Sequence, residues 1–314
     1  MISCIIPCYG SEKTIAIVVD ELRVTLENGG VSDYEIILVN DSSPDKVYSV
    51  IVELCKNDAR IKAIDLAKNF GQHGAVMAGI NHAKGDTLVF LDDDGQASIP
   101  EIWKLLEALN DDCDVVFGKY DVKQHVRWKN IGSSINAYMT EALLGKPKDL
   151  SITSFFCCKR FVADEIKKYV GSYPYLTGLI LRTTKHIKNV SISHRVRVAG
   201  ESNYTMKKVI SLWLNGFTAF SVKPLRIATA IGFITALGGF IYGLYVIIRR
   251  LFISPDTSVG WSSTMAVLLF IGGMIMLMLG LIGEYIGRMY ININNSPQYV
   301  IRERIGFNGN DNEK

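Results

Sequence analysis

Short apolar runs alternate with amphipathic stretches along the first 118 residues. The runs "SCIIP", "YEIILVN", "IKAIDL", "DTLVFL" and "DVVFG" are strand-like and bounded by Pro, Asn, Asp or Gly. Between the first two, "TIAIVVDELRVTLEN" places Ile15, Val18, Val19, Leu22 and Leu26 at helical spacing, and Gly29-Gly30 ends it. "KVYSVIVELCK", "GQHGAVMAGINHAK" and "IPEIWKLLEALN" read as further helices, the last starting at Pro100. Strands alternating with helices predict an α/β domain whose mainly parallel sheet is covered on both faces.

The pattern changes near residue 223. No charged residue lies between Arg226 and Arg249, nor between Asp256 and Glu284. Each run exceeds the ~20 residues a helix needs to cross a ~30 Å hydrocarbon core. Two transmembrane helices are expected, at about 225–249 and 261–287, joined by a short loop into a hairpin with both flanks on one side. Lys207, Lys208, Lys223, Arg226, Arg288, Arg302 and Arg304 flank the hairpin, against Arg249 and Arg250 in its loop. The positive-inside bias puts the catalytic part and the 291–314 tail in the cytoplasm. Gly238, Gly239, Gly243, Gly272, Gly273, Gly280 and Gly283 would let the helices pack closely. The lack of a charge at mid-membrane argues against an ion pathway. Two stretches, 127–145 and 204–222, mix apolar residues with Trp and Lys; they read as helices lying in the headgroup plane or, alternatively, as core helices.

Composition narrows this picture. The chain has 314 residues, 48% of them hydrophobic, and a net charge of +3, too near neutral for a general nucleic-acid binder. Cys4, Cys8, Cys55, Cys113, Cys157 and Cys158 form no CxxC pair and no His/Cys metal spacing, so reduced, mostly buried thiols are expected. "MISCIIPCY" is too short for a signal peptide, lacks a basic start and reads as the first strand. His73, His82 and His194 are expected in structural or surface roles.

Three polar clusters follow strands: "PCYGSE" (Pro7–Glu12), "NDSSPD" (Asn40–Asp45) and "DDDGQ" (Asp92–Gln96). Three adjacent carboxylates repel one another, and burial raises the cost. They read either as a solvated acidic turn or as a site for Mg²⁺ or Mn²⁺, which cancels the repulsion and is held by one or two carboxylates plus substrate phosphates. In open sheets ligands bind beyond the carboxyl ends of the strands. Three clusters at one such edge favour the cation site, with a metal-bound diphosphate beside the triplet.

These residues resemble family 2 glycosyltransferases of the GT-A fold. "IIPCYGSEKTI" is similar to their opening strand and loop, "ILVNDSSPD" to the strand carrying an Asp that meets the nucleotide, and "LAKNFGQHGAVMAGINHAKGD" to the loop and helix before the metal strand. "DDDGQ" resembles their Asp-x-Asp motif with the Gln of polyprenyl-phosphate sugar transferases. "AGESNYTMKKV" resembles the Gly-x-Ser-x-Tyr segment of that subgroup. "LGLIGEYIGRMY" with "SPQYVIRE" resembles the last membrane helix and tail of bacterial members that glucosylate bactoprenol phosphate. Gly10 stands where Asn is common, and Phe156 where many relatives carry Arg.

The resemblance implies a Rossmann-like GT-A domain over 1–203, an interfacial helix over 204–222 and the hairpin within 223–290, in a bacterial inner membrane. It implies inverting transfer of a sugar from a nucleoside diphosphate sugar, UDP-glucose first, to undecaprenyl phosphate. Asp94, with Asp92 and Gln96, would hold the metal. Pro7, Tyr9, Glu12, Asp41, Lys68, Asp92 and Asp93 would meet the donor. An acceptor phosphate needs cations; Arg197, Ser202 and Tyr204 rank first by resemblance, with Lys159, Arg160, Arg182 and Arg195 as further candidates. Asp93 should turn away from Asp92 by strand alternation. A phosphate with a second pKa of ~6 is largely dianionic and needs no general base, and residues 146–200 offer no convincing acidic one. The partners are therefore donor, lipid phosphate and bilayer, with a second copy of the chain as a further candidate. Competing readings are transfer to a glycan hydroxyl and a non-catalytic membrane protein that binds nucleotide-sugars or lipid-linked sugars.

Overall fold

The computed structural model describes residues 1–120, 146–193, 195, 223–252, 260–294 and 296–307. The chain divides into two compact units, Met1–Ile210 with Asn295–Lys314, and Ser211–Asn294. The expected interfacial helices at 127–145 and 204–222 lie outside the described residues.

The first unit is built on an eight-stranded sheet in the order β7-β5-β6-β4-β1-β2-β3-β8. Its strands are β1 (Ile2–Cys8), β2 (Tyr34–Asn40), β3 (Ile61–Leu66), β4 (Thr87–Phe90), β5 (Val115–Tyr120), β6 (Phe156–Lys159), β7 (Ile187–Ile192) and β8 (Ile301–Ile305). β1 to β4 pair in parallel, as do β5 and β7. β6 runs antiparallel between β4 and β5, and β8 runs antiparallel along β3. The sheet is thus mixed, mainly parallel at its centre. Every residue of β2 is buried, as expected of a strand covered on both faces.

Helices α1 (Ile15–Asn28), α2 (Val47–Asn57) and α4 (Ile102–Ala108) pack on one face, over Cys4, Ile6, Leu38, Val116 and Cys157. On the other lie α3 (Gln72–His82), α5 (Arg160–Lys167) and α6 (Leu176–Thr183). α3 comes down so closely that a Cβ on Gly79 would fall 2.4 Å from Ile5 Cγ2. On that face Phe156 stacks on Phe90, centroids 4.2 Å apart, and tilts against Phe117 at 4.9 Å. Phe156 is therefore a core aromatic. All six cysteines are free, and only Cys55 is not fully buried.

Glu35 is a charged residue buried in the sheet. Glu35 accepts hydrogen bonds from Ser3 Oγ (2.5 Å), the Lys84 N–H (2.6 Å) and Lys62 Nζ (2.6 Å). Burial pushes its carboxyl upward, but these donors outweigh it and hold the group below its ordinary value.

The second unit contains α7 (Lys223–Phe252) and α8 (Trp261–Ile293), 30 and 33 residues long. At 1.5 Å per residue each is about 45–50 Å, longer than a ~30 Å hydrocarbon core. Among the described residues, Phe270–Gly287 is long and apolar enough to cross a membrane. Phe233 and Ile234 on α7 and Met276 on α8 are 68%, 69% and 72% exposed, which a helix in water would rarely tolerate in such density. The expected glycine contacts are corrected: Gly238, Gly272, Gly273, Gly280 and Gly283 face open space. Close approach falls instead at Gly232, where a Cβ would lie 2.7 Å from Met278 Cε.

Candidate active site

The carboxyl ends of β1, β2, β3 and β4 lie along one edge, and β1 shows how that edge opens. Ile5 C=O accepts from Leu91 N–H at 3.2 Å, so Pro7 is the next residue of β1 to face β4. The β1–β4 ladder ends at the Ile5–Phe90 pair, so the missing N–H of Pro7 falls where no partner strand remains. Beyond that point the two chains separate into loops.

Hydrogen bonds knit these loops together. Tyr9 N–H donates to Asp93 Oδ2 at 2.9 Å, and Thr14 Oγ1 to the Asp93 carbonyl at 2.7 Å. Gly10, at φ 73°, donates its N–H to Ser43 Oγ at 2.8 Å. Glu12 N–H donates to Asp45 Oδ2 at 2.9 Å, and Glu12 Oε2 accepts from Lys46 N–H at 3.3 Å. Ser42 holds the left-handed φ of 50°, uncommon for a residue with a Cβ, in a turn tied by the Ser43 N–H to Asn40 Oδ1 (3.2 Å). Asn40 in turn donates to the buried Asp65 at 2.7 Å.

Asp41 accepts from the Phe70 and Gly71 N–H groups at 2.7 and 2.9 Å, so its carboxylate pins the loop after β3 to the end of β2. Burial pushes its carboxyl up to about 6, against the pull of the two N–H groups. Lys68 is exposed in the same loop, its ammonium 5.0 Å from the Phe70 ring centre.

The triplet divides its side chains among these walls. Asp92 accepts from Gln72 Nε2 (2.9 Å), at the start of α3, and from Ser154 Oγ, two residues before β6. Asp93 turns to the β1 loop. The two diverge as expected, although strand pairing has already ended at Phe90. Asp94 Oδ1 accepts the Gln96 N–H at 3.0 Å, closing a turn with Gly95 at φ 69°. Burial pushes Asp92 up to about 6; Ser154 opposes this, while the charges of Asp94 and Asp93 add to it. Burial also raises Asp93. Tyr120, at the end of β5, is pushed up to about 12 by burial and by Asp92 and Asp94. Burial holds His73 down at about 4; it packs edge-on against Tyr175, centroids 5.4 Å apart.

This crowding is what a divalent cation would relieve, so the residues fit one. Among the described residues no group of three or more His, Cys, Asp or Glu side chains could hold a metal. One or two carboxylates completed by substrate phosphates need no such group.

The basic candidates separate. Arg195 N–H donates to the Gln96 carbonyl at 3.0 Å, and its guanidinium pairs with Glu21 at 2.7 Å, so it stands beside the triplet turn. Lys159 and Arg160 do not. β6 runs antiparallel to β4, with Lys159 opposite Thr87, and this carries both residues to the far edge. From Thr87 to Asp92 is roughly 16 Å along the strand direction. There Lys159 pairs with Asp114 at 3.1 Å, while Arg160 donates to Ala83 C=O at 2.7 Å and pairs with Asp164 at 2.9 Å. Arg182 is exposed in the last turn of α6, and Thr184 just after it bonds Asp114 at that same edge. These three are withdrawn from the acceptor set. Arg197, Ser202, Tyr204 and His194 lie outside the described residues. Gln72, Ser154, Ser43 and Asp45 are site residues the sequence reading had not assigned.

A mainly parallel sheet with acidic and polar loops gathered at its carboxyl edge is the architecture of the GT-A class. Residues 3–166 match the family described as Glycosyl transferase family 2, and the chain belongs to it. Residues 223–289 match the GtrB C-terminal hairpin. An uncharacterized glycosyltransferase of Bacillus subtilis, YkcC, is 32% identical, covering 97% of this chain and 94% of its own. A bactoprenol glucosyl transferase of Shigella flexneri is 30% identical over 96% and 97%. An undecaprenyl-phosphate 4-deoxy-4-formamido-L-arabinose transferase of Edwardsiella ictaluri is 30% identical over 100% and 97%. Among solved structures, mannosyl-3-phosphoglycerate synthase from Rubrobacter xylanophilus shares the fold, with a TM-score of 0.51, 15% identity and coverage of 72% and 74%. So does glucosyl-3-phosphoglycerate synthase from Mycobacterium tuberculosis with Mn²⁺, UDP and product, with a TM-score of 0.50, 16% identity and coverage of 68% and 76%. The protein is a glycosyltransferase, with a two-helix hairpin of the type found in membrane-associated relatives.

Proposed function

We propose that this enzyme moves a sugar, glucose from UDP-glucose, onto undecaprenyl phosphate with inversion at the anomeric carbon. The observation that carries this is the joining of the Tyr9, Asn40–Lys46, Phe70–Gln72 and Asp92–Gln96 segments into one polar edge, in a chain with a GtrB-type hairpin. Relatives named for bactoprenol and undecaprenyl phosphate support the lipid.

Pro7, Tyr9, Glu12, Asp41 and Lys68 line the edge where the nucleotide would lie. Asp94, with Asp92 and Gln96, would hold Mg²⁺ or Mn²⁺, which supplies Lewis-acid stabilisation of the departing diphosphate. Gln72 and Ser154 fix the Asp92 carboxylate, and Asp93 sets the β1 loop. An acceptor phosphate oxygen attacks the anomeric carbon as the bond to the diphosphate oxygen breaks; the dianion needs no base. Arg197, with Ser202, Tyr204 and Arg195, would hold that phosphate.

Membranes containing the enzyme, incubated with radiolabelled UDP-glucose and other nucleotide-sugars, should yield labelled lipid from UDP-glucose. Phosphatase treatment of the acceptor lipid should abolish it. Label appearing in polysaccharide with no labelled lipid would favour a hydroxyl acceptor instead. The basic flanks support a topology with both ends in the cytoplasm; an impermeant thiol reagent should then reach a cysteine introduced at position 258 and not one at 310.

A further inference from the structure

The chain returns from the hairpin to the first unit as β8, whose pairing with β3 is irregular. Ala63 lies opposite Ile305, Ile64 opposite Arg304 and Asp65 opposite Glu303, but Leu66 lies opposite Ile301. Arg302 is the extra residue, without a partner on β3. A bulge of this kind re-aims a side chain and is common beside active sites.

The re-aimed guanidinium bridges two groups. Nη1 donates to Asp65 Oδ2 at 3.2 Å, and Nη2 to the Ala67 carbonyl at 2.9 Å. Ala67 N–H donates back to Val300 C=O at 2.8 Å. Asp65 is 3% exposed, and its other oxygen holds Asn40 at 2.7 Å. Asn40 holds the Ser43 N–H, in the turn that Ser42 enters at positive φ. Ser43 holds the Gly10 N–H. One arm of Arg302 therefore runs through Asp65 and Asn40 to the loops after β2 and β1. The other fixes the start of the 67–71 loop, whose Phe70 and Gly71 bind Asp41. Both walls of the donor edge converge on one residue of the strand that follows the hairpin.

We infer that Arg302 is a positioning residue for the nucleotide-sugar, and that the post-hairpin strand sets the shape of the donor edge. This rests on the donor reading given above. Without the guanidinium, the buried Asp65 carboxylate keeps only Asn40 among these partners and reorients, and the strained Ser42 turn relaxes.

The test compares Arg302→Met, Arg302→Lys and Glu303→Gln in the full-length enzyme. Glu303 accepts from Tyr48 Oη at 2.8 Å, so its variant weakens another side-chain contact of the same strand while the Arg302 guanidinium stays in place. Hydrogen exchange of the 40–46 and 67–72 segments reads positioning without reference to any substrate. Arg302→Met should speed exchange in both and raise the KM for nucleotide-sugar about tenfold, with little change in kcat or in the lipid KM. Arg302→Lys should recover part of this, and Glu303→Gln should leave the donor KM unchanged. Unchanged exchange in Arg302→Met, or an equal KM increase in Glu303→Gln, overturns the positioning role. Faster exchange with an unchanged donor KM overturns the link to the donor while leaving the transfer reaction as proposed.

Discussion

Asp94→Ala is expected to reduce sugar transfer by roughly a thousandfold or more, a loss of about 4 kcal/mol in transition-state stabilisation. Charge would develop on the diphosphate as the sugar leaves, and a cation held by Asp94, the ligand proposed above, would meet it. Asp93→Ala should cost far less. Its carboxylate is committed to the Tyr9 N–H at 2.9 Å, a positioning contact of about 1.5–3 kcal/mol. Excess chelator should reproduce the Asp94 variant, and Mn²⁺ or Mg²⁺ should restore the wild type alone. Full activity in chelator, or in Asp94→Ala, would remove the metal assignment.

Arg197→Ala is expected to raise the KM for lipid phosphate ten- to a hundredfold, while the KM for nucleotide-sugar changes little. The acceptor dianion approaches a donor that already carries two phosphates, so a cation must offset their repulsion. A charge-assisted contact of about 1.5–3 kcal/mol gives that range. Arg197 lies two residues beyond Arg195, whose N–H holds the Gln96 carbonyl of the triplet turn. Lys159→Met serves as the contrast, since its ammonium pairs with Asp114 at the far edge, and it should leave both KM values alone. A rise in only the donor KM for Arg197→Ala would reassign that residue to the nucleotide and leave Arg195 to hold the acceptor.

The half of the sheet that carries the candidate site was legible in the sequence because each of its strands is a local apolar run ended by polar residues. Tyr34–Asn40 and Ile61–Leu66 were read with the bounds they adopt. β6 was not legible: four residues, Phe156–Lys159, carry too little pattern, and nothing local gives their antiparallel direction. That direction decides where Lys159 and Arg160 go, which their positive charge alone did not show. β8 reads "IRERI", three charges in five residues, and only its two end residues are partly buried, so an outer strand with a bulge shows no apolar alternation. Its partner β3 lies more than two hundred residues earlier, so no local signal joins them. Within the site, the three polar clusters stood out as runs. Gln72 and Ser154 are single polar residues whose meaning comes only from the carboxylate they share.

The order of strands also bears on how the protein is made. Among the described residues, seven of the eight strands precede the hairpin along the chain, and the eighth is translated only after both of its helices. Until then β3 presents an open ladder of N–H and C=O groups to the surrounding solution, the kind of template on which chains aggregate. In the topology proposed above, a hairpin inserted with only one helix crossing would leave β8 on the other side of the membrane and that ladder open. On that reading, a chain that threads the bilayer wrongly would keep an exposed edge where a correctly inserted one has a paired strand.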